Sequence, residues 1–344
     1  MPPRLVRRVA LPIVVVLEVA TIGLLLVVGL IGLLAAPFDR RLRLARLAAM
    51  GISYLLIELV ALAVLLGLWL QRPWRDDEWW DATHTRLLGR AIGLVLAAAG
   101  RWTNWRMDLD EPASTLPSTA DPVNPEPASD LPPTARPAVV VLARHGGIGD
   151  SFALVWLLAA HYQRKPRVVL KRILQWEPMI DIALTRTGSC FLGEHDPEAQ
   201  IRATAASLQP GDALLLFPEG GNWTPRRRWR AISSLLRRHR TAEARAAGLM
   251  THVLPPRSGG VLACLETRPD LPIVVVAHTG LDRITSAGGL WRALPFRAAM
   301  EVRWWPPAPP PSGEEERVAW LLTEWAVIDE WIESRRLASA DPER

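Results

Sequence analysis

The sequence predicts an α/β fold, a mainly parallel sheet flanked by helices, preceded by an N-terminal membrane helical hairpin. Three observations predict it. Two long apolar runs open the chain, a proline-rich segment follows, and beyond residue 137 short Val/Leu/Ile-rich runs alternate with helix-length stretches. Such apolar runs, bounded by turns and helices, suit strands of a parallel sheet buried on both faces. At 344 residues and 49% hydrophobic content, the chain has room for about two domain-sized units. That content excludes a wholly disordered or collagen-like chain.

The first run, Val19 to Pro37, holds nineteen residues without a charge, enough to cross a hydrocarbon core about 30 Å thick. Arg4, Arg7 and Arg8 precede it as they would in a signal peptide, but the second run follows at once and argues against cleavage. That second run, Met50 to Leu70, carries Glu58 near its middle, while Glu18 opens the first. A carboxyl at such a depth costs about 2.5–3.5 kcal/mol, which the surrounding leucines offset. Residues 1–75 thus read as a membrane-embedded hairpin with helices over about 10–37 and 50–71. Arg40, Arg41, Arg43 and Arg46 in the connection, and Arg72 and Arg75 after it, make every flank basic. Two full spans and a hairpin dipping into one leaflet therefore both stay open.

Residues 76–109 read as a juxtamembrane helical region. Trp74, Trp79, Trp80, Trp102 and Trp105 among charges suit either a bilayer interface or an amphipathic helix packed on the soluble part. Residues 110–137, with eight prolines, read as a linker or loop. The α/β domain covers 138–336, with expected strands at 138–143, 167–170, 213–217 and 272–277, and 337–344 form a tail. From Glu314 to Arg336, Val318, Leu321, Leu322, Trp325, Ile328, Trp331 and Ile332 recur at helical spacing and predict a helix packed on the sheet.

The net charge of +5 suits an anionic partner. No zinc-finger spacing or aromatic RNA-binding signature is present, so no nucleic-acid partner is expected. Lys165 and Lys171 are the only lysines, a bias that points to a GC-rich bacterial genome and hence to a bacterial cell membrane, with the α/β domain on the cytoplasmic side. Cys190 and Cys264 are too few for a disulfide framework and too far apart for a metal knuckle. The histidines show no ligand spacing, so no metal is expected; His278, after a buried strand, reads either as lining the cleft or, by preference, as a hydrogen-bonded structural histidine. Oligomeric state is left open.

Directly after the first strand comes "RHGGIGDSF", a strand, a glycine turn and a helix start. The spacing lets the Asp150 carboxylate reach back to the His145 imidazole. A carboxylate on one ring nitrogen leaves the other to take a proton from a substrate hydroxyl. Helix capping explains Asp150 equally well. The strand at 213–217 then ends in Phe217-Pro218-Glu219-Gly220, where a glutamate between proline and glycine suits a rigid carboxylate in a cleft at a strand end. Arg226, Arg227 and Arg228 follow, either as anion-binding forks or as a solvated face.

"HGGIGD" followed some seventy residues later by "FPEGGNWTP" resembles the glycerolipid acyltransferase family, typified by 1-acylglycerol-3-phosphate acyltransferases, over roughly Pro137 to Pro307. The resemblance implies that His145 is the general base, Asp150 its orienting partner, and Phe217, Pro218, Glu219 and Gly220 part of the acceptor site. "LPPRSGG" at 254–260 makes Arg257 the counterpart of a basic residue that the family has before glycine. The chain departs from the family where Gly193, Glu194 and His195 stand after Phe191-Leu192, and where Gly221-Asn222 replace Thr-Arg. Lys171, Arg172 or the Arg226 to Arg228 cluster would then hold the acceptor phosphate, unless the acceptor lacks one there. The implied activity is transfer of a fatty acyl group to a lysophospholipid hydroxyl, with no cofactor, acyl-CoA or acyl carrier protein as co-substrate, and membrane lipids as partners. A thioester or lipid hydrolase on the same scaffold and a non-catalytic anionic-lipid-binding membrane protein are the competing readings.

Overall fold

The structure is a computed structural model that describes residues 3–110, 136–147, 149–193, 195–280, 282, 284 and 286–340. The expected linker therefore lies, from 111 to 135, outside the described residues, as do 341–344 of the tail. The helices are α1 (Arg4–Leu34), α2 (Arg43–Gln71), α3 (Asp77–Thr103), α4 (Asp150–Trp156), α5 (Pro178–Arg186), α6 (Pro197–Ala206), α7 (Pro225–Arg237), α8 (Thr241–Leu249), α9 (Ser258–Thr267), α10 (Ala287–Ala293) and α11 (Glu314–Ala340). The strands are β1 (Met107–Asp110), β2 (Val139–Ala143), β3 (Lys165–Lys171), β4 (Cys190–Leu192), β5 (Asp212–Leu216), β6 (Ile273–Thr279) and β7 (Met300–Trp305).

The chain divides into two interleaved compact units. The first comprises Met1–Arg106, Phe152–Gly193 and Ala287–Ala299. Its helices α1 and α2, the latter extended by a short turn to Trp74, are long and apolar enough to cross a membrane. Small residues let these two helices approach closely: a Cβ on Gly32 would lie 2.6 Å from the Ala45 nitrogen, and one on Gly51 2.9 Å from Leu25. The carboxyls expected to trouble the hairpin find polar neighbours. Glu18 and Glu58 are both buried and lie close to one another, and the Tyr54 hydroxyl donates to Glu177 at 2.8 Å. Arg7 donates through Nε and Nη2 to the buried Asp181 of α5 at 3.1 and 3.0 Å. Helix α3 packs against α2, with Leu88, Ile92 and Val95 buried and Trp102 donating to Ser53 at 2.9 Å. β3 and β4 pair in parallel, Val169 opposite Cys190.

The second unit comprises Met107–Ser151, Glu194–Ser286 and Met300–Arg344. Its strands run in the order β1-β7-β6-β2-β5. β2 pairs in parallel with β5 and β6, and β1 with β7; β6 and β7 are antiparallel. Every residue of β2, β5 and β6 is buried, which explains why these strands read as continuous apolar runs. α11 packs on β6 and α9 through Leu321, Trp325, Ile328 and Ile332, as its spacing predicts.

Strands β1, β4 and β7 were not among the expected elements. β1 stands within the region expected to be helical over 76–109; α3 ends at Thr103 and the strand follows. Its sequence, Met-Asp-Leu-Asp, lacks an apolar run, and its place rests on pairing with β7 and on ion pairs from Arg335 to Asp110 and Glu301.

Gly32→Leu should separate α1 from α2 and destabilise the protein by about 1–3 kcal/mol, the usual cost of overpacking. Gly23→Ala, whose Cβ would meet nothing within 4 Å, should leave the melting temperature of detergent-solubilised protein unchanged. Thermal scanning of the two variants side by side makes the comparison.

Candidate active site

β2 ends at Ala143, and the chain then turns through Arg144 to Gly149 before α4 starts at Asp150. Two demands make this turn glycine-rich. Gly149 has φ +91°, a conformation that side chains disfavour. A Cβ on Gly146 would lie 2.9 Å from an Arg144 guanidinium nitrogen and 3.0 Å from the His278 ring. The turn is thus pressed onto two buried side chains.

Within it, His145 Nδ1 lies 3.0 Å from Asp150 Oδ2. The same oxygen accepts the Gly147 N–H at 3.2 Å, and Asp150 Oδ1 accepts the Ser151 N–H at 2.6 Å. The aspartate opens α4 and holds the imidazole; among the described residues it accepts the N–H of the next residue but none further along the helix, so of the two explanations open at the sequence level the contact with His145 is the one the structure displays. Burial alone would raise the Asp150 pKa; the His145 hydrogen bond, the His278 and His145 charges and the Gly147 N–H outweigh it and hold the carboxyl at about 2. An ionised Asp150 requires Nδ1 to carry the ring proton, which leaves Nε2 to accept one. The His145 side chain is 22% exposed, and its ring sits 4.8 Å from that of Phe217.

Glu219 is turned inward. Its carboxyl, in a residue only 3% exposed, accepts the backbone N–H of His145 at 3.3 Å, the Leu254 N–H at 3.2 Å and the Trp325 indole N–H at 3.3 Å. Burial pushes its pKa up to about 8, against the Arg144 charge and these three donors. The expected carboxylate in a cleft is instead a bridge tying the His145 backbone to the 254 loop and to α11. The rest of its motif faces Arg257: the Arg257 N–H donates to the Pro218 carbonyl at 2.9 Å, and the guanidinium lies over Gly220, whose φ is +66°.

The second unit therefore brings His145, Asp150, Phe217, Pro218, Glu219, Gly220 and Arg257 together. Lys171 and Arg172 belong to the first unit, exposed at the end of β3. Arg226 and Arg227 are exposed on α7, and Arg227 donates to the Asn222 carbonyl at 3.0 Å. Arg228 departs from its expected role as an anion fork. Its guanidinium caps α8, donating to Met250, Gly248 and Ala247 carbonyls at 2.6, 2.8 and 3.3 Å.

Sequence reasoning missed the layer beneath the turn. Arg144 is fully buried and donates to the His278 carbonyl at 2.5 Å, the His252 carbonyl at 2.6 Å and Asp282 at 3.1 Å. Asp282 also accepts from Arg336 at 2.7 Å, and from Thr279 and Gly280. Burial opposes its ionisation, but the two guanidinium charges outweigh it and hold the pKa far below the usual carboxylate range. His278 is buried, as a structural histidine should be: its Nε2 lies 2.9 Å from the Arg144 carbonyl and 3.5 Å from Asp150. Burial lowers its pKa. One signal was available: an arginine closing an all-apolar strand must find a carboxylate.

Residues 124–279 match the family model described as acyltransferase. Among solved structures, the chain is similar to the 1-acyl-sn-glycerophosphate (LPA) acyltransferase PlsC from Thermotoga maritima, with 15% identity and a TM-score of 0.46, covering 86% of this chain and all of that one. No curated protein matches at a significant level.

Asp282→Asn removes the buried charge between Arg144 and Arg336 and should cost about 3–5 kcal/mol in chemical denaturation, as broken buried pairs do. Asp150 contributes a second, pH-dependent effect. Its folded pKa lies below the ordinary 3.8, so the stability it adds is complete above about pH 4 and is lost as pH falls toward 2. Asp150→Asn should flatten the acid limb of stability across that window.

Proposed function

We propose that this chain, whose residues 124–279 match the acyltransferase family model, transfers a fatty acyl group from an acyl thioester, acyl-CoA or acyl carrier protein, to the hydroxyl of a lysophospholipid. A 1-acylglycerol-3-phosphate is the acceptor that the family resemblance suggests, with Gly193, Glu194, His195 and Gly221-Asn222 as the departures that another acceptor would explain, and the reaction would belong to phospholipid biosynthesis. The observation that carries the reading is the 3.0 Å contact between His145 Nδ1 and Asp150.

In this mechanism His145 Nε2 takes the proton from the acceptor hydroxyl as its oxygen attacks the thioester carbonyl. Asp150 stabilises the imidazolium that forms. When the tetrahedral intermediate collapses, the C–S bond breaks and the thiol leaves with the proton from His145. No enzyme nucleophile is needed. The oxyanion needs N–H donors; the Gly147 N–H is already committed to Asp150, so another amide must serve. Glu219 acts as a positioning residue, because its carboxyl holds the His145 backbone. For an acceptor phosphate, Arg257 is the favoured partner, being the one candidate that lies against the acceptor motif; Lys171, Arg172, Arg226 and Arg227 are further candidates. The two apolar helices anchor the protein in a bacterial cell membrane with the second unit on the cytoplasmic side, where acyl thioesters are made. An anchored site meets lipid acceptors at high effective concentration.

Acyl transfer from long-chain acyl-CoA or acyl carrier protein to a panel of lysolipids, with products identified by mass, tests this. His145→Ala should keep expression and folding and lower turnover by about 10²–10⁴-fold. Near-normal transfer by that variant would remove His145 as base, and free acid without acylated lipid would make the protein a hydrolase. Arg257→Gln should raise the KM for lysophosphatidic acid by about tenfold or more, the worth of one charged hydrogen bond, and leave uncharged acceptors unaffected.

A further inference from the structure

Apart from Arg226, a further candidate for the acceptor phosphate, helix α7 has an outer face that the chemistry above does not use. At 3.6 residues per turn, positions 226, 229, 230, 233, 236 and 237 share one side of it. Arg226, Arg230 and Arg237 are exposed there, and between them stand Trp229 and Leu236, 68% and 54% exposed. The opposite side is fixed to the protein: Arg228 caps α8, and Ile232 and Leu235 are partly covered. At its start, Thr224 accepts the Arg227 N–H at 3.2 Å, and the neighbouring Trp223 N–H donates to the His145 carbonyl at 3.0 Å. The helix therefore hangs from the loop that holds the base.

We propose that this face docks on the anionic phospholipid surface of the bilayer. A helix lying in an interface presents basic side chains to lipid phosphates and sinks aromatic and aliphatic ones toward the acyl boundary. Guanidinium groups grip phosphate bidentately, and their aliphatic stems lie along the apolar level. Charge alone would also fit an acidic carrier protein. The exposed Trp229 and Leu236 on the same stripe, in a chain with two helices apolar enough to cross a membrane, favour the bilayer. Docking would hold the 217–224 loop at the depth where lipid head groups lie. The inference does not depend on which acceptor is used.

The test uses the full chain. Cys190 and Cys264 are buried, so Trp229→Cys can be labelled selectively with an NBD fluorophore and the protein reconstituted into phosphatidylcholine vesicles with or without phosphatidylglycerol, each carrying shallow doxyl-lipid quencher. Quenching in the anionic vesicles, relieved by high salt, is expected. Arg230→Gln with Arg237→Gln should shift the docked-to-undocked ratio by about twenty-five-fold, from roughly fivefold per arginine near a charged surface. Quenching that is absent, or unchanged in the double variant, overturns the proposal, as does protection of the label by acyl carrier protein in place of lipid. This readout needs no turnover, so failure of the acyltransferase reading leaves it intact. The double variant should also keep normal transfer to a short-chain acceptor in neutral micelles; loss there would assign these arginines to the reaction and overturn docking.

Discussion

A guanidinium with no access to solvent, that of Arg144, constrains everything around the candidate active site. Such a charge is tolerated inside a protein only when hydrogen bonds and a nearby carboxylate compensate it. Here the two Nη groups find three partners, carbonyls at the end of β6 and in the 252 loop and the Asp282 carboxylate, which also accepts from Arg336 of α11, while Nε makes no hydrogen bond among the described residues. The ends of two strands, a loop and the C-terminal helix must converge for the charge to be satisfied. A buried ion pair of this kind adds little net stability over an apolar replacement; its effect is to make one arrangement far better than any other.

That arrangement lies directly beneath the residue proposed to carry the chemistry. His145 is gripped at three points: its ring by Asp150, its amide by Glu219 and its carbonyl by the Trp223 N–H. The ring is held from within its own turn, by Asp150, and the backbone from the 217–224 loop, by Glu219 and Trp223, so ring orientation and backbone position are set separately. Glu219 couples two of these stretches to α11 through Trp325. Precise placement of a general base contributes to rate through geometry rather than through new contacts with substrate.

The first unit solves a different problem. Two apolar helices approach closely only where side chains are small, at Gly32 and Gly51. Their carboxyls find polar neighbours on each other and close to α5. The arginines at the start of α1 are likewise tied to Asp181 of α5. The helices are thus packed into a compact unit with α5 rather than strung on it as a loose tail.

What the sequence determined by itself was local. The apolar length of α1 and α2, the buried strands β2, β3, β5 and β6, and the contact between His145 and Asp150, five residues apart on one turn, all follow from periodicity, turn chemistry and the reach of a side chain. The roles decided by tertiary structure belong to residues whose partners are far away in the chain. Arg144 meets Asp282 across 138 positions and Glu219 meets Trp325 across 106. Arg228 looked like an anion fork because an exposed arginine and one that caps a distant helix have the same local neighbours. β1 escaped notice because an edge strand with polar residues is made by its pairing, not by its composition; β7 lies inside the sheet, between β1 and β6, and its alternation of buried Met300, Val302 and Trp304 was legible in the sequence. Local patterning carries the hydrophobic period and the capping chemistry; the destination of a buried charge is set only when the chain has closed around it.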